Sequence, residues 1–222
     1  MQPLRHTLVS DGATDANLIP IINWTLREVA NEPLAEGIRA DFWRLPRPPQ
    51  DLAGRIKSAV ELYPSDVLFV HRDAEREQAA VRHREILDAL NDARNANCKI
   101  PAVAIVPVRM LEAWLLFNER AIRNASGNPN GTARLNLPLL RAIEARPDPK
   151  KDLREALICA SELEGRRRKK FGASQALWRV VDFIDDFSPL RQLTAFRNFE
   201  DTVKRLKASD WKPGFYGDPV IK

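Results

Sequence analysis

The sequence predicts an α/β fold built on a four-stranded parallel sheet with strand order 2-1-3-4, flanked by helices and followed by a helical extension. Two observations predict this class. Short apolar segments alternate with longer amphipathic ones four times within the first ~117 residues, and such alternation implies parallel strands joined by helices. The third apolar segment, residues 67–70, is unbroken, as expected of a strand buried on both faces of a parallel sheet.

The first half of this pattern contains two strand–helix units. Residues 4–10 predict a strand, and residues 16–31 predict a helix with apolar side chains at helical spacing. Residues 38–45 predict the second strand, which a run of prolines ends. Asp51 is a favourable N-cap for a second helix over residues 52–63.

The second half repeats the arrangement. After the strand at residues 67–70, an amphipathic helix is predicted over residues 76–97 and a fourth buried strand over residues 101–108. A further helix is predicted to start within residues 109–116. These segments complete a doubly wound α/β unit.

The remainder of the chain has a different character. A loop rich in Asn, Gly, Ser and Pro precedes it, which suggests an α/β domain over residues 1–123 and a helical extension over residues 124–222. The helices predicted in this extension cover residues 137–144, 151–164, 174–187 and 190–208. We expect the extension to pack on the α/β domain and to place basic side chains beside its acids.

Composition narrows the class of protein. The chain has 222 residues, 44% hydrophobic content and a net charge of +5, which allows a real core and is compatible with nucleic-acid binding. Its two cysteines, Cys98 and Cys159, lack a CxxC partner and predict reduced thiols. Because the sequence shows neither a membrane-length apolar run nor a signal-peptide pattern, we expect a soluble, cytoplasmic protein without a membrane partner.

Carboxylates follow three of the predicted strands. In strand order 2-1-3-4, strands one and three are neighbours at the point where the order reverses, and open α/β sheets bind ligands at that point. We therefore expect the acids to converge on one edge of the sheet, where an all-oxygen cluster suits Mg²⁺ or Mn²⁺. The predicted metal ligands are Asp11, Asp15, Asp73, Glu75 and Glu112.

Structural roles are the alternative for several of these residues. Asp15 could serve only as a helix cap, and Asp73 with Glu75 could form an acidic turn that caps the next helix. His71 could transfer protons or orient a ligand, or it could be a structural histidine. Glu112 has apolar neighbours, and an acid in such a segment needs a partner.

Three short motifs resemble a known family. Asp11-Gly12-x-Thr14-Asp15, Asp73-x-Glu75 and Glu112-Ala113-Trp114 are similar to the signature of Toprim domains, found in topoisomerases, primases and overcoming-lysogenization-defect nucleases. The resemblance is closest to a small bacterial Toprim-like family and covers roughly residues 4–117. It implies a Toprim-like sheet and a nuclease that acts with an ATPase partner in defence against phage.

The resemblance also implies roles for the acids. Asp11 would transfer protons, Asp73 and Glu75 would bind Mg²⁺, and Glu112 or Asp15 would complete one or two metal sites. Two residues depart from the family pattern, which has Glu where this chain has Asp11 and Asp where it has Glu75. Each change keeps the carboxylate but moves it by about one methylene, which matters because Mg²⁺ requires near-ideal geometry.

Basic residues supply the complementary charge. Arginines beside the acids could hold a phosphate, and later basic residues could follow a nucleic-acid backbone, although five consecutive basic residues are also typical of a solvated surface. The predicted phosphate or nucleic-acid contacts are Arg72, Arg76, Arg109, Lys150, Lys151 and, within the basic run at residues 166–170, Arg167 and Lys169.

Three functional hypotheses remain open. The first is a Mg²⁺- or Mn²⁺-dependent nuclease that hydrolyses DNA or RNA, with Asp11, Asp73, Glu75 and Glu112 as catalytic residues. The second is a catalytically inactive Toprim-like module that binds a partner protein or a nucleotide. The third, primase-like or ligase-like phosphoryl transfer, lacks a glycine-rich nucleotide-binding loop in this sequence. A homodimer is compatible with each hypothesis.

Overall fold

The computed structural model describes residues 3–95 and 100–206. Four strands form one all-parallel sheet in the order β2-β1-β3-β4, which confirms the predicted fold class and strand order. The strands are β1 (Leu4–Val9), β2 (Ala35–Arg39), β3 (Val67–His71) and β4 (Ala102–Ile105). In the central pair, Val9 of β1 lies opposite Val70 of β3.

The chain divides into two compact units, which are described separately. The first unit comprises Met1–Val106 and Asn198–Lys222, and the second comprises Pro107–Arg197. The first boundary follows β4 directly and lies earlier in the chain than residue 123, where the sequence changes character. The sheet and three helices of the first unit position the candidate site.

Two helix ends of the first unit carry a capping residue. They are α1 (Leu18–Ala30), preceded by a 3₁₀ helix (Ala13–Asn17), α2 (Leu52–Leu62) and α3 (Ala79–Asn95). The Asp51 carboxylate accepts a hydrogen bond from the backbone N–H of Gly54 and so caps α2, as predicted. Asn31 ends α1 in the left-handed region, at φ 56°.

Apolar side chains cover both faces of the sheet within this unit. On one face, Leu68 and Val70 of β3 belong to a buried cluster with Ile56 of α2 and Ile86 of α3. Successive strand residues point to opposite faces, so Phe69 lies on the other face, where its ring meets Phe199 edge-on at 6.2 Å. This double burial explains why residues 67–70 are uninterruptedly apolar.

The second unit consists of short helices and connectors. Its α-helices are α4 (Glu119–Ala125), α5 (Pro149–Ala160), α6 (Gly165–Lys170) and α7 (Ala173–Arg179). Its 3₁₀ helices are Leu111–Leu115, Leu140–Ala145, Val181–Phe183 and Ser188–Gln192. The last helix, α8 (Thr194–Arg205), begins in this unit and continues beyond Arg197.

Several predicted element bounds differ from the observed ones. The second strand spans Ala35–Arg39 and not residues 38–45, because Leu4 donates a hydrogen bond to the Leu34 carbonyl and pairing with β1 already starts at Ala35. The third helix begins at Ala79, and the predicted helix at residues 109–116 is a five-residue 3₁₀ helix. The predicted ends at Asn97 and Ala208, together with Cys98, lie outside the described residues.

The helices and one cysteine relate to what the composition predicted. No helix in residues 3–95 and 100–206 is both long enough and apolar enough to cross a membrane. Cys159 carries an exposed free thiol.

Candidate active site at the strand ends

The carboxyl ends of β1 and β3 bring two of the predicted segments side by side. Continuing the observed register two residues beyond the pair Val9–Val70 places Asp11 level with Arg72. Their side chains do meet, with Arg72 Nε 3.4 Å from Asp11 Oδ2. The strand order reverses here, so this edge has the position at which α/β sheets bind ligands.

Asp15 lies buried in the turn that follows β1. Its Oδ2 atom accepts a hydrogen bond of 2.8 Å from the backbone N–H of Gly12, which closes the turn ahead of α1. The residue is 8% exposed, so its carboxylate has little access to water. Asp15 therefore closes its own turn and also presents a second oxygen to the protein interior.

His71 connects Asp15 to Asp73. Its Nε2 atom lies 3.9 Å from Asp15 Oδ1 and 3.4 Å from Asp73 Oδ1, and the imidazole is buried. On the other side of the ring, Nδ1 is 3.1 Å from the carbonyl oxygen of Ile105. A carbonyl oxygen can only accept, so Nδ1 carries a hydrogen and Nε2 faces the two carboxylates.

Burial and the neighbouring charges shift the pKa values of Asp15 and His71 in this cluster. Burial raises the pKa of the Asp15 carboxyl, and the charge of Asp73 raises it further, although His71 and the Gly12 N–H act in the opposite direction. Burial alone would lower the pKa of His71, but the hydrogen bond and charge of Asp73, together with the charge of Asp15, raise it. Two carboxylates thus share one imidazole, and an added proton or cation would stabilise them.

The donor set of this cluster fits a divalent cation in chemical terms. Carboxylate oxygens suit Mg²⁺ and Mn²⁺, and a histidine whose Nδ1–H is fixed by a backbone carbonyl presents Nε2 in the manner of a metal ligand. No group of three or more His, Cys, Asp or Glu side chains within residues 3–95 and 100–206 is already spaced to hold a metal ion. Asp15, Asp73 and His71 are the candidate ligands, because His71 Nε2 lies within 4 Å of an oxygen of each acid.

Asp11 and Glu75 belong to a different arrangement, a chain of surface ion pairs. Asp11 contacts Arg55 of α2 at 2.5 Å and also Arg72, and Arg72 lies 3.4 Å from Glu85 of α3. Arg82 then pairs with Glu85 at 2.9 Å and with Glu75 at 3.4 Å. Two predicted metal ligands thus lie at the two ends of one acid–arginine chain.

The exposure of these two acids also separates them from Asp15. The side chains of Asp11 and Glu75 are 52% and 68% exposed, whereas that of Asp15 is 11% exposed. Glu75 adopts a φ of 54°, which turns the backbone sharply after β3 before α3 begins. Arginines neutralise Asp11 and Glu75 in this structure.

Glu112 belongs to the second unit and has a partner there. It is buried in the 3₁₀ helix Leu111–Leu115, beside the fully buried Trp114, and its Oε1 atom lies 3.3 Å from Lys150 Nζ. The expectation that an acid in an apolar segment needs a partner is met by this ion pair. Lys150, predicted to contact phosphate, is the residue that supplies it.

The remaining predicted phosphate contacts are on the surface. Arg76 is exposed in the turn after β3, and Arg109 is half-buried with a φ of 61° in the second unit. Lys151 is exposed on α5, and Arg167 and Lys169 are exposed on α6, the helix formed by the basic run. Their side chains are accessible to a polyanion.

Two arginines at the site were not found by sequence analysis. Arg55 and Arg82 lie on helices that precede and follow β3, and their side chains reach Asp11 and Glu75. Arg82 is seven residues after Glu75 in the chain, which is a weak signal in the sequence. Arg55 has no such signal, because its approach to Asp11 depends on how α2 packs against the sheet.

Comparison with known proteins gives no family assignment. No family model, curated protein or solved structure matches this chain. The resemblance to Toprim domains therefore stays a prediction that rests on the three motifs. The geometry at the strand ends provides the physical basis for a function.

Proposed function

We propose that this protein is a metal-dependent phosphodiesterase that hydrolyses DNA or RNA. The observation that carries this proposal is the Asp15–His71–Asp73 cluster at the strand-order reversal, where Asp15 and His71 are buried, together with the Asp11–Arg72 and Asp11–Arg55 pairs at the same strand ends. Acids next to half-buried arginines suit a reaction in which an anionic phosphate must be held close to a cation.

Asp15, Asp73 and His71 would hold the divalent cation, with Mg²⁺ or Mn²⁺ as the expected metal. When bound, such a cation supplies charge stabilisation at the reacting phosphate and lowers the pKa of water. The Ile105 carbonyl keeps the His71 ring in one orientation, and the Gly12 N–H does the same for the Asp15 carboxylate. These two hydrogen bonds would hold the His71 and Asp15 side chains in the orientation that binding of a cation requires.

Asp11 and its arginines would act on the substrate. Arg72 and Arg55 have the donors to orient a phosphate, since a guanidinium offers five N–H groups. The Asp11 carboxylate is half exposed and adjacent to the cluster's strand ends, so it would hold or move a proton at its Oδ1 or Oδ2 atom. Glu75, paired with Arg82, would position this arginine and not contact the metal.

The wider setting is proposed on the resemblance alone. A Toprim-like nuclease of this kind would act in the cytoplasm as an effector of anti-phage defence, together with an ATPase partner. Glu112, which that resemblance implies as a metal ligand, pairs with Lys150 within the second unit. A homodimer is compatible with the proposal.

A second function is favoured by one specific observation. Asp11 and Glu75 are both neutralised by arginines, and these are the same two residues that depart from the Toprim pattern. A module that kept the fold without catalysis would show such pairing. This alternative protein would bind a partner protein or a nucleotide and would cleave nothing.

Cleavage assays with purified variants distinguish the two functions. Wild type, Asp73→Ala, Asp11→Asn and the control Asp92→Asn, an exposed acid of α3, are incubated with labelled DNA and RNA and titrated with Mn²⁺ or Mg²⁺. Asp73→Ala should lose metal binding and cleavage together. Asp11→Asn should keep most of the metal affinity while turnover falls by about 10²-fold or more, the scale of a lost general acid or base.

Three outcomes of these assays decide between a nuclease and a binding module. Asp92→Asn should behave as wild type in both metal binding and cleavage. Absence of metal-dependent cleavage by the wild type, tested with its natural partner present, would assign the protein to the binding module. Equal metal binding by wild type and Asp73→Ala would remove the proposed metal site even if cleavage were seen.

A further inference from the structure

The second unit contains a pocket that the proposed function does not use. It lies between α5 and α7 and has a volume of about 360 Å³. Its lining includes Lys150, Lys151 and Arg154 from α5, Ser174 and Leu177 from α7, and Asp148 ahead of α5. We refer to it as the α5–α7 pocket.

The lining of this pocket is unevenly charged. Three basic side chains face one acid, and the Asp148 carboxylate is engaged as the N-cap of α5, where it accepts a hydrogen bond from the Lys151 N–H. Lys150 pairs with Glu112, and Lys151 makes only a long contact of 3.9 Å with Glu155. The net charge of the lining therefore favours an anion.

Arg154 is the side chain best suited to recognise that anion. Within residues 3–95 and 100–206 its guanidinium forms no ion pair or hydrogen bond. Its five N–H donors stand in the planar arrangement that matches the oxygens of a phosphate. Ser174, which is exposed on the opposite wall, adds a hydroxyl that can donate or accept.

The volume and the polarity of the α5–α7 pocket restrict the class of anion that it can bind. Small-ligand pockets span about 300–1,000 Å³, so this one has room for a single phosphate group and part of its substituent. Leu177 is 5% exposed and provides an apolar wall for that substituent. A double helix, whose backbone is contacted over an extended surface, does not fit into such a pocket.

The distribution of charge along the chain also favours binding of an anion in the second unit. Residues 107–197 contain 17 Lys and Arg against 11 Asp and Glu, whereas the rest of the chain contains 18 against 19. The basic helix α6 ends at Lys170, three residues before Ala173 of the pocket lining, which a chain can span over at most ~11 Å. Phosphate-bearing molecules would thus be attracted to this region.

We propose that the α5–α7 pocket binds a phosphate monoester. Two sources share this chemistry, namely a free nucleotide and the phosphorylated end of a nucleic-acid strand. The site is separate from the Asp15–His71–Asp73 cluster and requires no divalent metal. It stands whether or not the protein hydrolyses phosphodiesters.

Calorimetric titration of the full chain in EDTA and low salt tests the proposal. The probes are inorganic phosphate, adenosine 5′-monophosphate, adenosine, and one oligonucleotide with either a 5′-phosphate or a 5′-hydroxyl. Each phosphate-bearing probe should bind more tightly than its counterpart without phosphate. Tighter binding of the nucleotide identifies a nucleotide site, and tighter binding of the phosphorylated oligonucleotide identifies a strand-end site.

Matched variants assign the binding to the pocket. Arg154→Gln should weaken binding of the preferred probe by about tenfold or more, the scale of a lost hydrogen bond to a charged group. Arg141→Gln, which removes an exposed arginine of the same unit outside the pocket, should leave binding unchanged. Ser174→Tyr fills the pocket without changing its charge and should weaken binding as Arg154→Gln does.

Two results would overturn the proposal. One is equal binding of probes with and without the phosphate. The other is an equal loss in Arg154→Gln and Arg141→Gln, with none in Ser174→Tyr, because that pattern indicates attraction to the basic surface in general. Because the titrations contain no divalent metal, neither result depends on whether the strand-end cluster is catalytic.

Discussion

Replacing Gly37 by alanine should destabilise the fold, although the same change stabilises many strands. Gly37 lies in β2 directly opposite His6 of β1. A Cβ atom at residue 37 would lie 2.9 Å from Nδ1 of His6 and closer still to Cε1 and Nε2. Its φ is not in the left-handed region, so the obstacle is the neighbouring ring and not the backbone.

The His6 ring cannot move away at low cost. Its Nε2 atom donates a hydrogen bond of 2.6 Å to the Asn23 side chain, and its face meets the edge of Phe69 at a centroid distance of 5.2 Å. Burial lowers the pKa of His6, only partly opposed by the bond to Asn23, so the ring is neutral above pH 6.5. The imidazole is 1% exposed and has no solvent-filled space to enter.

Opposing effects set the size of the change. Alanine restricts the unfolded chain and by itself would add about 0.4–1 kcal/mol to the free energy of unfolding. Overpacking costs about 1–3 kcal/mol, and loss of the bond to Asn23 costs a further ~0.5–1.5 kcal/mol. The net loss should be about 1–3 kcal/mol, which for a chain of this size lowers Tm by roughly 2–12 °C.

Urea and thermal unfolding at pH 8 measure this loss, with Glu36→Ala as the control at an exposed residue of the same strand. The double variant His6→Ser/Gly37→Ala should recover part of the loss, because serine leaves room for the new methyl group. If Gly37→Ala proves as stable as the wild type, the close approach of β2 to His6 is not a constraint on the fold.

Three further predictions concern charged residues. Asp15→Asn should raise the metal-free Tm at pH 7, because burial raises the pKa of Asp15 and its ionised form costs stability above pH 3.8. The variant should also lose the stabilisation by Mn²⁺. An unchanged response of Tm to Mn²⁺ in calorimetry would contradict the role of Asp15 as a metal ligand. Glu162→Gln should lower the free energy of unfolding above pH 4.5 and flatten the decline of that free energy in acid, because hydrogen bonds from the Ala133 and Thr132 N–H groups lower the pKa of Glu162. Parallel curves of stability against pH for wild type and variant would refute this prediction. Lys150→Met should lower the free energy of unfolding by about 1 kcal/mol, because the buried Glu112 loses its ion pair with this lysine. Lys151→Met, a control at an exposed position, should change the free energy of unfolding little in the same urea experiment.

The fold was predictable because its signals are local. The unbroken apolar run at residues 67–70 and the position of Asp51 depend only on neighbouring residues, and parallel pairing follows from connection rules. The strand order 2-1-3-4 was chosen as one of the two common doubly wound arrangements. The edge strand β2 was placed too late because Ile38 is 53% exposed, so no buried apolar pattern marks this strand. The bounds of α4 were not predicted, because only a helix start within residues 109–116 was recognised; Asn118 caps α4 by accepting a hydrogen bond from the Ala121 N–H.

The site was predictable only in part. The positions of Asp11 and Asp73 follow from where β1 and β3 end, so their adjacency to the sheet edge could be derived. The partner of each acid could not, because Arg55 and Arg82 reach the acids through the packing of α2 and α3. Whether a carboxylate meets an arginine or a histidine depends on these tertiary contacts, which no local pattern encodes.

The acid–arginine chain from Asp11 to Glu75 has a consequence for timing. Arg72 is held by Asp11 on one side and Glu85 on the other, so a phosphate can engage this guanidinium fully only by competing with those carboxylates. A substrate that succeeds would release Asp11 from one of its two arginines at the moment of binding. Under the proposed function, the proton-handling acid would then stay latent in the resting protein, and the arriving substrate would itself be the trigger that arms it.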